Sequence, residues 1–265
     1  MSGNFSQKAL STTAGYIDAL GKIVENITNI KSVGYKKGET TFIETLNGEA
    51  QKHTTRDFSQ GMLRRTGDAL DIALEGNGFF EVELPDGQTG YTRAGQFKLS
   101  SEGELVTSDG YRVLPQTEQD PKVFEEAKDG TINVKVNTPK FLIPADAAPE
   151  ILQDGTVNTT NQETGEKRKI GKISVVAFNN PNGLESIGKG YYLQTKTSGL
   201  AQEIKTGPDT STKVKQGYLE YGNVDLATEF MNLSQMKNIL SAHFKVLKTL
   251  DKIYENVNFT ISRAV

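Results

Sequence analysis

The 265-residue chain has no cysteine and no tryptophan, and only two histidines. Without cysteine there is no disulfide framework, no thiolate zinc or iron–sulfur site and no cysteine nucleophile. His53 and His243 stand far apart in sequence, so a histidine-rich metal centre has no local basis. Long apolar runs are also missing. A stretch such as Val175-Val176-Ala177-Phe178 falls far short of the ~20 residues a membrane helix needs, and the first twenty residues hold no basic region followed by an apolar one, so no cleavable signal is expected. Charge of one sign is scarce too: 30 Lys and Arg stand against 33 Asp and Glu, a net of −3, which offers no basic surface for nucleic acid.

Hydrophobic residues are 35% of the chain and glycines number 26, a polar but globular composition. The apolar residues are patterned differently at the ends and in the middle. Leu10, Ala14, Ile17, Leu20, Val24 and Ile27 recur at intervals of three and four, which predicts an amphipathic helix from about Phe5 to Ile30, with Gly34 as its C-terminal cap. Gly15 and Gly21 weaken it by about 1 kcal/mol each relative to Ala. A longer pattern runs from Asp225, a fitting N-cap, to Val257. Leu226, Leu233, Met236, Leu240, Leu247, Leu250 and Tyr254 form its seam, flanked by Phe230 and Phe244. A helix of that length, about 50 Å at 1.5 Å per residue, implies a coiled-coil-like partner.

The middle reads as β. Phe80, Val82 and Leu84 alternate with Glu81 and Glu83 as in a strand buried on one face. Asp86-Gly87, Glu102-Gly103 and Asp109-Gly110 mark hairpin turns. The expected fold is therefore α+β. Residues 1–34 and 222–265 form a discontinuous helical module packed as a coiled-coil-like pair, 35–70 an extended connection, and 71–221 a β body with a loop-rich insertion at 116–150.

No catalytic constellation emerges. Glu75-Gly76-Asn77-Gly78-Phe79-Phe80-Glu81 lacks the third glycine of a dinucleotide loop and precedes a strand instead of a helix. Gly165 to Gly171-Lys172-Ile173 has the wrong spacing for a phosphate loop. Asp68, Asp71 and Glu75 fit no calcium loop. No cofactor or metal is expected, and the chain does not read as an enzyme. The residues expected to carry function are apolar assembly positions: Leu10, Ile17, Leu20, Val24 and Ile27 on the first helix, and Leu226, Phe230, Leu233, Met236, Leu240, Phe244, Leu247, Leu250 and Tyr254 on the last.

Several blocks together resemble a known family. Asn26-Ile27-Thr28-Asn29-Ile30-Lys31-Ser32-Val33-Gly34-Tyr35-Lys36-Lys37 is similar to the N-terminal signature of the axial proteins of the bacterial flagellum. Asp57-Phe58-Ser59-Gln60-Gly61-Met62-Leu63, Thr66 to Leu74, Gly76-Asn77-Gly78-Phe79-Phe80 and Tyr91-Thr92-Arg93-Ala94-Gly95-Gln96-Phe97 resemble the blocks that follow. So do Asn180 to Gly188, and Gln216-Gly217-Tyr218-Leu219-Glu220 with Asn223-Val224. Ile27 and Thr28 depart from the usual Leu-Ala, and the last helix lacks the usual Arg-Ala-Tyr-Glu stretch. The resemblance implies a structural subunit of the basal-body rod, exported through the flagellar type III apparatus, polymerising with itself into a helical tube that transmits torque. Its implied neighbours are other rod and hook axial proteins, with bushing-ring proteins as further partners. The Gly183–Gly188 block resembles a distal rod protein, whereas the short span from Glu44 to Arg56 resembles a proximal one. The other reading of two helical ends around a β body is a surface adhesin on a coiled-coil stalk.

Overall fold

The computed structural model describes residues 2–44, 50–116, 123–126, 132–135, 141–144, 147–161 and 165–263. Two helices, α1 (Ser2–Thr28) and α2 (Leu226–Arg263), enclose twenty strands in the sequence. The chain divides into two compact units, one made of Met1–Ile30, Lys37–Arg56 and Val224–Val265, the other of Lys31–Lys36 and Asp57–Asn223.

In the larger unit the main sheet has nine strands. Its path runs Glu185–Gly188, Tyr191–Leu193, Thr89–Thr92, Phe79–Glu83, Arg112–Val113, Leu105–Thr107 and Phe97–Leu99, while Val175–Ala177 pairs with Phe79–Glu83 and with Gln202–Glu203. A three-stranded sheet holds Ala147–Ile151, Thr156–Asn161 and Lys167–Lys172. Two short pairs close the unit, Ile72–Glu75 with Lys213–Gln216 and Leu63–Arg65 with Tyr218–Glu220. The pairings are antiparallel, and the turns expected at 86–87, 102–103 and 109–110 join neighbouring strands.

Because side chains alternate along a strand, consecutive residues enter different cores. Phe80, Tyr191 and Val175 join the larger core with Ile72, Leu74 and Leu105. Phe79, Tyr192 and Val176 join a smaller one with Tyr91 and Phe178. The central strand is thus covered on both faces. The expectation that it buries one face only is corrected: Phe79 and Glu81 are buried as well, and the Ser174 hydroxyl donates to the Glu81 carboxylate. Gly95 permits the tightest crossing here, since a Cβ on it would lie 1.6 Å from the Ile72 carbonyl oxygen.

The smaller unit combines α1, α2 and the hairpin Gly38–Glu44/Ala50–Arg56. Asp225 caps α2 as its position predicts: its carboxylate accepts from the Ala227 and Thr228 amides at 3.3 Å each, filling the unpaired donors of the first turn. Helix α1 stops at Thr28 because Thr28 and Asn29 side chains take the last carbonyls, the Thr28 hydroxyl bonding Val24 and Glu25 and Asn29 Nδ2 bonding Glu25. Gly34 is not its cap. It lies six residues beyond, at φ +69°, where a Cβ would meet the Ala94 backbone nitrogen at 2.3 Å.

The expected fold class is overturned. Among the described residues these are the only two α-helices, the rest of the regular structure is β apart from one 3-10 turn at Pro181–Gly183, and no long coiled-coil pair forms. A coiled coil needs an apolar seam buried along its length. Instead Ile17 and Val24 on α1 are 53% and 45% exposed, and along the α2 seam Leu226 is 40% exposed while Leu233, Met236, Leu240, Leu247 and Leu250 are only half-buried. The contacts between the helices include polar and aromatic ones: the His243 ring meets Tyr16 edge-on at 5.6 Å and Thr13 Oγ1 at 3.0 Å.

Candidate assembly surfaces and the buried charge cluster

The described part of the expected assembly surface divides by exposure. Ile17, Val24, Leu226, Phe230 and Phe244 are exposed, whereas Leu20, Ile27, Leu233, Met236, Leu240, Leu247 and Leu250 are half-buried. The side chains of Leu10 and Tyr254 lie outside the described residues, as does that of His53. The half-buried positions of α2 share one face, so α2 uses that face within the chain and presents others outward. Met231, Ile239, Val246 and Ile253, which are also exposed, occupy a side of α2 away from Phe230.

One edge of the smaller unit is concave. A groove of about 250 Å³ is lined by Ala19, Ile23 and Asn26 of α1, by residues 37–40, and by Met236 and Ile239 of α2, with other polar residues at its rim. Asn26 shapes its end: Nδ2 donates to the Gly38 carbonyl at 2.9 Å and Oδ1 accepts from the Gly38 amide at 3.0 Å. Lys37 pairs with the buried Glu229 and with Glu39, each at 3.2 Å. Burial pulls the Lys37 ammonium pKa down, but hydrogen bonds to Glu39 and Glu229 outweigh it and hold the value above normal.

The larger unit contains a polar cluster that apolar patterning could not indicate. Glu220, 1% exposed, accepts from Lys36 Nζ at 2.7 Å and the Gly61 amide at 2.8 Å on one oxygen, and from Arg93 Nε at 3.0 Å on the other. Lys36 also donates to the Ser59 carbonyl at 2.5 Å, and Arg93 to the Gly76 and Gly78 carbonyls at 2.9 and 2.7 Å. Gln60 spans the same region, bonding the Leu74 carbonyl at 2.9 Å and the Gly76 amide at 2.7 Å. Desolvation, followed by the neighbouring Arg93 charge, depresses the Lys36 pKa, and desolvation depresses that of Arg93.

This cluster joins five separate stretches of chain. Lys36 comes from the Gly34-Tyr35-Lys36 run, Gln60 and Gly61 from the Ser59-Gln60-Gly61 run, Gly76 and Gly78 from the Gly-Asn-Gly turn, Arg93 from Tyr91-Thr92-Arg93, and Glu220 from the last block. Those are the blocks that carry the family resemblance. The signal was therefore in the sequence, as scattered motifs, but only the fold shows that they meet. The cluster has no nucleophile beside a general base, and among the described residues no group of acids and histidines could hold a metal ion. Its chemistry is structural: a buried carboxylate pairs with two cations, and the three side chains together order four backbone groups.

Comparison with known proteins follows the same lines. Residues 73–159 match the family model of the flagellar hook protein FlgE/F/G D1 domain. The chain is 31% identical to the flagellar basal-body rod protein FlgG of Bacillus subtilis, over 91% of each chain. It is 31% identical to the FlgG of Agrobacterium fabrum, over 93% of this chain and 96% of that one. The flagellar hook protein FlgE of Brucella abortus is 32% identical over 60% of this chain but only 42% of its own length. Near-complete coverage on both sides by rod proteins, and partial coverage by the hook protein, assigns this chain to the family of flagellar basal-body rod proteins, structural components of the bacterial flagellar basal body.

Proposed function

We propose that the chain is a rod subunit that polymerises with itself into a helical tube, contacts other rod and hook axial proteins at the ends of its own segment, and transmits torque from motor to hook without catalysing a reaction. The distal rod is its position. The observation that carries this reading is the row of large apolar side chains left in solvent on two long helices in a member of the rod family. Each such side chain is about half exposed and gains about 1 kcal/mol when the rest of it is buried. A contact that does not close on itself extends into a filament. FlgG is the printed name of the relatives matched over nearly their whole length, which supports the distal position over the proximal one. The adhesin alternative has no support among these relatives.

The test is peptide mass spectrometry of purified basal bodies from the source organism. Many copies of this chain per basal body, lost when the rod is lost, support the reading. Absence from intact basal bodies overturns it.

A further inference from the structure

We infer that Glu220 and Asn223 are positioning residues that clamp together all four points at which the chain passes between the two compact units, and that torque leaves the larger unit through this clamp. The clamp lies wholly within the larger unit. Its mechanical role rests on the torque transmission proposed above and names the residues that carry it.

The argument begins with connectivity. The larger unit is built from two stretches, Lys31–Lys36 and Asp57–Asn223. Each stretch has two ends, so the chain enters or leaves the unit at 30–31, 36–37, 56–57 and 223–224. A single passage is a weak coupling, because every residue keeps two soft dihedrals. Passages fixed to one another cannot turn independently.

The stretch from Glu220 to Asn223 fixes all of them. Beside the first passage, Val33 bridges to Tyr221, and the Gly34 amide donates to the Glu220 carbonyl at 2.8 Å. At the second, Lys36 Nζ donates to the Glu220 carboxylate at 2.7 Å and to the Ser59 carbonyl at 2.5 Å. At the third, Asn223 Nδ2 donates to the Asp57 carbonyl at 2.8 Å, the Ser59 carbonyl at 3.3 Å and Ser59 Oγ at 3.0 Å. The same segment is held again by the Gly61 amide on the Glu220 carboxylate at 2.8 Å and by the Tyr221 amide on the Met62 carbonyl at 3.0 Å. Asn223 is itself the last residue before the fourth passage. Glu220 thus ties the first three passages, and Asn223 ties the third to the fourth.

The clamp is closed tightly. A Cβ on Gly61 would lie 1.9 Å from the Tyr221 carbonyl oxygen, so the segments touch backbone to backbone. Lys36 and Glu220 are both almost fully buried. Drawing the 31–36 stretch away would strand one charge of a buried pair, which makes partial opening unfavourable.

Hydrogen exchange of the full-length chain tests the clamp, and swimming under load tests its role. Asn223→Ala removes the tie between the third and fourth passages and touches neither hydrophobic core. The amides of Gly34, Gly61 and Tyr221 are expected to exchange together in this variant, about tenfold faster than in the wild type, because they share one local opening. Glu220→Gln, which keeps the shape and removes the charge, should speed the same three amides. Faster exchange confined to residues 57–59 in Asn223→Ala shows a local bond and overturns the inference. In cells, Asn223→Ala is expected to enter basal bodies at the wild-type copy number and to stop swimming at a lower viscosity of the medium. Wild-type swimming at every viscosity overturns the torque role, and so does loss of the variant from basal bodies. Failure of the unsubstituted chain to appear in basal bodies overturns the rod reading instead, and the exchange pattern then decides the clamp alone.

Discussion

At the scale of single residues the sharpest dependence is on Glu220. Its carboxylate is the one anion between Lys36 and Arg93 in the cluster described, all three nearly excluded from solvent. Removing one partner of a buried ion pair leaves an uncompensated charge and costs about 3–5 kcal/mol. Glu220→Ala is expected to lower the stability of the larger unit by that amount, read from urea unfolding, while Glu150→Ala, whose partner Lys167 is 64% exposed, changes it little. A wild-type unfolding midpoint in Glu220→Ala would refute the role assigned to the cluster. Gly95 offers a second case, because Gly95→Ala drives a methyl into the Ile72 carbonyl and should destabilise the chain through backbone displacement.

Two buried phenols set the alkaline limit. Burial, reinforced by Glu81, pushes the Tyr91 hydroxyl well above its ordinary value of 10.0. Burial raises the Tyr191 hydroxyl as well, with Asp109 adding to the effect. Above pH 10 the unfolded chain releases these protons while the folded chain keeps them. The folded state then binds more protons than the unfolded one, so stability falls as pH rises. Lys36, depressed in the fold, acts with the opposite sign, adding stability as pH rises toward its unfolded value. Urea midpoints at about pH 9 and about pH 11 should show a smaller loss in Tyr91→Phe than in the wild type. An identical loss in both would remove Tyr91 from the explanation.

At the scale of elements, α2 is held at its start by Asp225. Asp225→Ala removes the acceptor for two first-turn amides and should cost about 1 kcal/mol, visible as faster amide exchange in the first turn of α2. On α1 the corresponding residue is Asn26, which binds both polar backbone groups of Gly38. Asn26→Ala leaves those groups to find other partners and should cost about 1–3 kcal/mol. Protease sensitivity of the 37–44 segment measures it, and unchanged cleavage there would show that Asn26 does not hold the hairpin.

At the scale of the whole molecule, function depends on surfaces that one copy leaves uncovered. Phe244→Asp places a charge on an exposed side of α2 without touching either core of the larger unit. It is expected to leave the folded chain's circular dichroism and unfolding midpoint unchanged and to abolish incorporation into the rod. Normal incorporation would show that this side of α2 is not an assembly surface.

The periodicity of the ends, the hairpin turns and the absence of cysteine chemistry were legible because each is local. A helix reveals itself by spacing of three and four, a hairpin by Asp-Gly between alternating runs, and a missing cysteine by simple inspection. The family was legible in the order of its blocks. By contrast, the strand at Phe79–Glu83 looked half-buried because alternation names the two faces but not what covers them. The terminal helices looked like a coiled-coil pair because a 3–4 seam specifies an apolar stripe without saying what fills it. Lys36, Gln60, Arg93 and Glu220 were missed as a group, since a polar cluster has no period and its members come from distant stretches of chain.

The sequence by itself determined that a helix stands at each end, that α2 begins after Asp225, where the turns at 86–87, 102–103 and 109–110 fall, that cysteine chemistry is excluded, and which family the chain resembles. Those properties follow from backbone preferences and residue types within a few turns of chain. Only the tertiary structure decided that the central strand Phe79–Glu83 is buried on both faces, that one carboxylate pairs with two cations distant in sequence, and that α2 leaves large apolar side chains exposed on more than one side. Each of these depends on burial, and burial is settled by which long-range neighbours exclude water, a quantity that no local pattern contains.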